Sequence, residues 1–216
     1  MAIIHKATLS PTKLELIAEY LPTQPWFIQD GEPELIGAYR FDDPAGEVGI
    51  ETHVVAAGER IYQVPLSYRG HELGGANEWL IGTMEHSVLG KRWVYDACGD
   101  PVYVKALATA ILRGQKEAAL MVDGEAEPRP STVTVKGSGK HDGDLPALSA
   151  SAPVSGSGVT IIDAGELRLK VNRVVDPAAD ASANTAATPE LHAELALHGS
   201  WAGLDNPVEL ASVVRN

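Results

Sequence analysis

Cysteine is almost missing from this chain. Its 216 residues include one, Cys98, so no disulfide can close within it, and a reducing compartment is expected. Positive charge is scarce as well. Seventeen Lys and Arg face 29 Asp and Glu, a formal net charge of −12. Such a surface repels phosphate backbones and anionic lipid, so neither nucleic acid nor a membrane is an expected partner. No apolar run approaches the ~18 residues that a membrane helix needs. Residues 1–13 show no apolar stretch or cleavage-site pattern of a signal peptide. A soluble cytoplasmic protein is the simplest expectation. There is no internal repeat. What the chain does have is ordinary: 44% of its residues are hydrophobic, enough for a real core. The length allows one large domain or two small ones.

The first sixty residues carry readable periods. Residues 2–9 form a short strand candidate. Ser10 and Pro11 predict a helix start, with Leu14, Ile17, Ala18 and Leu21 on one face. Pro22 and Pro25 stop that helix. It is too short to be stable alone and must lie on a sheet. Leu35, Gly37, Tyr39 and Phe41 alternate, then Val48, Ile50, Thr52, Val54 and Ala56, with Glu47, Glu51 and His53 on the opposite side. A meander of antiparallel strands is predicted, with one face buried and one in water.

Residues 61–104 are the most distinctive stretch. Tyr62, Val64, Leu66 and Tyr68 alternate. Arg69-Gly70 and Gly74-Gly75 break the run, and Leu80–Met84 and Arg92–Tyr95 resume it around a turn at Ser87–Gly90. Asp100 and Pro101 predict a helix N-terminus, with Val104, Leu107 and Ile111 on one side and an end near Gly114.

The segments Tyr62–Gly70, Leu80–Asp96 and Asp100–Val102 are similar to the N-terminal cap domain of actinobacterial maltokinases. They resemble in particular small standalone proteins that carry this cap without the kinase. The resemblance covers roughly residues 1–114. It implies an α+β fold, a curved antiparallel sheet packed on helices with cystatin-like topology. It also implies a place near α-glucan, glycogen or trehalose metabolism. It does not imply phosphotransfer, because the cap is not the part of those kinases that performs it. Three readings follow: a non-catalytic interaction or regulatory module, a cap subunit that docks on a separate sugar kinase, or an enzyme or sugar-binding protein acting on maltose-type sugars or α-glucan. The partner would be an enzyme of that metabolism, a sugar kinase or an oligosaccharide.

The second half, residues 115–216, reads as β-rich. Strand candidates are Glu117–Val122, Thr132–Lys136, Val159–Ile162, Leu167–Val175 and Val208–Val214, and Leu191, Ala193, Leu195 and Leu197 alternate. The stretches 137–158 and 176–189 are rich in small and polar residues and read as flexible loops.

Glu85, His86, Arg92 and Asp96 form the best polar cluster, and Tyr68, Arg69 and Trp93 join it as a candidate binding surface. If the two hairpin strands pair, these side chains can converge on sugar hydroxyls or on a protein. A hydrogen-bonded cluster that fixes the turn is the commoner use of such groups. Trp26, Trp79, Trp93 and Trp201 are candidates for sugar stacking, though core packing is more usual. His192, Glu194 and His198 share a strand face, but their spread is too wide for one ion, and no metal is expected. His141-Asp142-Gly143-Asp144 looks a little like the His-Gly-Asp run of sugar kinases, but an extra residue interrupts it. No glycine-rich phosphate loop with a following lysine and no Asp-Phe-Gly-type metal site accompanies it. Neither a catalytic residue nor a cofactor is therefore assigned. Cys98 lies beside a helix start, which can lower a thiol's pKa; a small buried filler is the plainer reading.

Overall fold

A computed structural model describes residues 3–149, 151–156, 158–175 and 195–215. The fold is α+β and rich in strands, with a curled antiparallel sheet and, among the described residues, two short α-helices. Helix α1 spans Lys13–Tyr20. Its cap is Thr12, two residues beyond the expected Ser10. The Glu15 side chain accepts from the Thr12 N–H while Thr12 Oγ1 accepts from the Glu15 N–H, a capping box. Ser10 instead belongs to a two-residue strand. Helix α2 spans Pro101–Arg113, capped by Asp100 and ended by Gly114 at φ 64°, as the sequence predicts.

Among the described residues the strands are, in chain order, β1 (Ile3–Ile4), β2 (Leu9–Ser10), β3 (Glu34–Phe41), β4 (Gly49–Ala57), β5 (Arg60–Arg69), β6 (Leu80–His86), β7 (Gly90–Asp96), β8 (Met121–Val122), β9 (Val133–Gly137), β10 (Val154–Gly156), β11 (Val159–Ala164), β12 (Leu167–Asn172), β13 (Val174–Val175), β14 (Leu195–Trp201) and β15 (Val208–Arg215). The first large sheet has the order β2-β6-β7-β5-β4-β3, and β13 also joins it by pairing with β5. The second has the order β10-β11-β12-β15-β14-β9. Of the strand expected at 117–122, only β8 forms, parallel to β1. The stretch 137–158 begins inside β9 and contains β10. The expected loop at 176–189 lies outside the described residues.

The central strands of the first sheet are covered on both faces, although the β6–β7 hairpin leaves Thr83 and Glu85 exposed. On one side, Leu16, Ile17 and Leu21 of the α1 region pack with Trp26 on Val55, Tyr62, Val64, Leu66 and Val94. On the other, Tyr39, Phe41, Ile50 and Val54 join a core with Tyr103, Val104, Leu107 and Ile111 of α2 and the inner residues of the second sheet. Each of these buried aliphatic side chains contributes about 1.5–3 kcal/mol. Alternation predicts which residues share a face, but not that a helix will cover each face.

Strand β5 shows how the halves meet. Along one edge it pairs with β4 over residues 60–68. Along the other, residues 66–69 pair with β7 and residues 61–62 pair with β13. Gln63 sits at this seam, fully buried. Its Nε2 donates to the Asn172 and Leu210 carbonyls at 2.9 Å, and its Oε1 accepts from the Tyr39 hydroxyl at 2.9 Å. A buried amide with three partners is satisfied, and it ties the two sheets in one register.

Candidate functional site

Strand alternation divides the seven expected surface residues. In the β6–β7 hairpin, Met84 pairs with Arg92, Glu85 with Lys91 and His86 with Gly90. Met84, His86 and Arg92 therefore share the α1 face with Val94, and Glu85 and Trp93 point to the other. Glu85 is exposed. Trp93 is half-buried; its Nε1 donates to Glu72 at 3.3 Å, and Lys91 lies over its ring at 4.8 Å. Arg69 and Asp96 are parts of the frame. Arg69 is bidentate to the buried Asp100 through two 2.7 Å bonds, so the carboxylate that caps α2 also anchors β5. Asp96 is 1% exposed and receives the Arg173 guanidinium at 2.6 Å and the Tyr20 hydroxyl at 2.5 Å. The expected convergence of Glu85 with Asp96 does not form. Tyr68, His86 and Arg92 do come together, along one cavity.

That cavity has a volume of about 530 Å³ and lies between the start of α1, strand β2, the turn before β4 and the open end of the first sheet. Along its inner wall runs a chain of polar groups of which sequence reading singled out only Tyr68. Lys13 of α1 makes an ion pair with Glu51 of β4. His53 Nε2 lies 3.5 Å from the same carboxylate and 3.1 Å from the Tyr68 hydroxyl, and the Lys13 ammonium sits 5.4 Å from the Tyr68 ring centre. Burial pushes the Glu51 carboxyl up, but the His53 imidazole and the Lys13 ammonium outweigh it and hold it well below the usual range. Burial, then the Glu51 charge, pushes the Tyr68 phenol well above its ordinary value. At the mouth, His86 Nδ1 accepts from the Val88 and Leu89 N–H groups at 3.2 and 3.1 Å. Burial, His5 and Arg92 hold its imidazole below the ordinary value. The signal for this wall was present as Glu51 and His53 on one side of an apolar strand. What was not legible was that α1 stops short and leaves a recess above them.

Residues 20–100 match the family model of the maltokinase N-terminal cap domain. The match is narrower than the 1–114 that the resemblance implied, and it takes in β3 to β7. A search of curated proteins returned no match. Within the cavity, the cap-matching region supplies Arg40, Glu51, Tyr68, His86 and Arg92, while His5, Leu9 and Lys13 come from the segment ahead of it. Arg173, β13 and the second sheet all lie beyond it.

The other candidates disperse. Trp26 and Trp201 are buried, 4% and 7% exposed, and Trp79 packs on Gly99. The four tryptophans form no stacking platform. His141 Nε2 donates to the Asp144 carbonyl, and Arg113 of α2 donates to the Gly143 carbonyl, so that run packs beside a helix end. His198 is exposed, and His192 and Glu194 lie outside the described residues. Among the described residues no group of three or more His, Cys, Asp or Glu is placed to hold a metal. Burial raises the Cys98 thiol well above its ordinary value; the helix start does not lower it. Among the described residues no helix is long and apolar enough to cross a membrane.

Proposed function

We propose that this chain is a cap-type interaction module that works with a maltokinase-like enzyme of α-glucan, glycogen or trehalose metabolism in the cytoplasm. The observation that carries the reading is the cap match over residues 20–100 on a sheet whose strand β5 is also paired by β13 and whose inner face is covered by the same chain. In this reading the laying of α1 across a curved sheet corresponds to the cystatin-like arrangement. A cap with its inner face already occupied has no need of a covalently attached kinase body to be stable. The chain then serves by contact and carries no phosphoryl-transfer role of its own.

The test is size-exclusion chromatography and titration calorimetry of the purified chain with a maltokinase-like enzyme from the same organism, together with an ATP turnover assay. A stoichiometric complex, with maltose phosphorylation changed by the added chain, is the expected result. Absence of a complex with every such enzyme would remove the reading. ATP turnover by the chain alone would replace it with an enzymatic one.

A further inference from the structure

We propose that the 530 Å³ cavity beneath the start of α1 binds a small hydroxyl-rich organic anion, a sugar phosphate or a sugar acid, with Arg92 and His86 receiving the anionic group. The charges facing the cavity are unequal in what they have left to offer. Asp43 is engaged by its own turn: its carboxylate accepts from the N–H groups of Ala45, Glu47 and Val48, each at 3.0 Å. Glu51 is held by Lys13 and His53. Arg40 and Arg92, by contrast, enter no ion pair among the described residues. Arg92 donates from Nη2 to the Leu89 carbonyl, but its Nε is buried without a partner. The Arg92 guanidinium lines the cavity with the Leu89 carbonyl as its acceptor, and an anionic group in the cavity would give it a charge-assisted partner. Three cations, Lys13, Arg40 and Arg92, meet three carboxylates, Asp43, Glu47 and Glu51, around this recess, so its positive charges are balanced there, whereas in the whole chain, of net charge −12, they are outnumbered.

The opposite wall asks for something else. The Glu51 carboxylate accepts hydrogen bonds, and the Lys13 ammonium and Tyr68 hydroxyl can serve hydroxyl groups, while Glu47 at the rim repels a second anionic group. A ligand with one anionic head and a body of hydroxyls satisfies both ends. The volume is too large for a bare oxyanion and falls in the range of roughly 300–1,000 Å³ usual for small-molecule sites. Phosphate and carboxylate heads meet the same cations, so the two are separated by experiment.

The test is calorimetry on the full chain at low salt with glucose 6-phosphate, gluconate, glucose and inorganic phosphate. One of the two sugar anions is expected to bind with glucose and inorganic phosphate weaker, and Arg92→Ala should weaken it at least about tenfold, the loss of one charge-assisted contact. In the unaltered protein, the same ligand should raise the pH at which the His86 imidazole titrates by NMR, a readout that needs no variant to fold. Glucose bound as tightly as its phosphate would make this a neutral-sugar site and overturn the proposal. Inorganic phosphate bound as tightly as the sugar phosphate would refute the hydroxyl half. No binding of either sugar anion, or anion binding indifferent to Arg92→Ala with an unmoved His86, would also sink it. These outcomes are independent of whether the chain docks on a kinase-type enzyme.

Discussion

At the scale of single residues, Glu51 is the most consequential titrating group beside the cavity. Its side chain is 16% exposed. Lys13 reaches it from α1, His53 from its own strand, Tyr68 from β5, and Arg40 faces Tyr68 from β3. Because its folded pKa lies below its unfolded one, the ionised carboxylate stabilises the fold at and above the unfolded value. That contribution is lost as pH falls through the depressed folded value. Glu51→Gln should therefore melt lower than the parent at pH 7, and the difference should shrink once pH drops below about 4.3, the unfolded glutamate value. Thermal melts in steps from neutral to acid would check this; a gap that stays constant would assign the effect of Gln to packing instead.

At the scale of elements, the end of α2 explains a run of glycines. The last carbonyls of a helix lack partners within it. Here the chain after β9 supplies them: the Gly139 N–H donates to the Ile111 carbonyl and the His141 N–H to the Leu112 carbonyl, both at 2.9 Å. A Cβ on Gly139 would stand 2.0 Å from the Leu112 carbonyl oxygen, and one on Gly137 would stand 2.0 Å from that of Ala110. Both obstacles are helix backbone, so neither can swing aside. Composition suggests flexibility at these glycines; the geometry gives them a packing reason, close approach of two backbones. Gly139→Ala should cost about 1–3 kcal/mol through overpacking. Gly74→Ala, where nothing lies within 4 Å, should stay within about 0.5 kcal/mol. Denaturant melts of the pair decide it, and equal effects would contradict the packing account.

At the scale of the whole molecule, Arg173 joins the halves. It is fully buried, donates to Thr160 Oγ1 at 2.7 Å and Asp96 at 2.6 Å, and lies 5.2 Å from the Trp26 ring centre. Removing one member of a buried ion pair strands the other. Arg173→Met should cost about 3–5 kcal/mol, a fall of roughly 10 °C in melting temperature for a chain of this size. Adding Asp96→Asn should restore part of it, since the uncompensated charge goes too. Both proteins, like the parent, should unfold in one calorimetric transition, because α2 and both sheets share one core. Two resolved transitions would make residues 1–114 and 115–216 independent domains.

The amino-acid order alone determined what depends on neighbours in the chain. The period of apolar residues set the β3–β7 strands and their faces. Asp100, Pro101 and Gly114 set the limits of α2, because caps act within one turn. Tyr68, His86 and Arg92 were legible as chemistry-bearing residues of one distinctive stretch. Folding in three dimensions decided the rest. That Asp96 meets Arg173, 77 positions away, and that Lys13 meets Glu51, 38 positions away, follows from packing of whole elements. Local period carries no information about which helix covers which face, or where that cover stops and leaves a cavity.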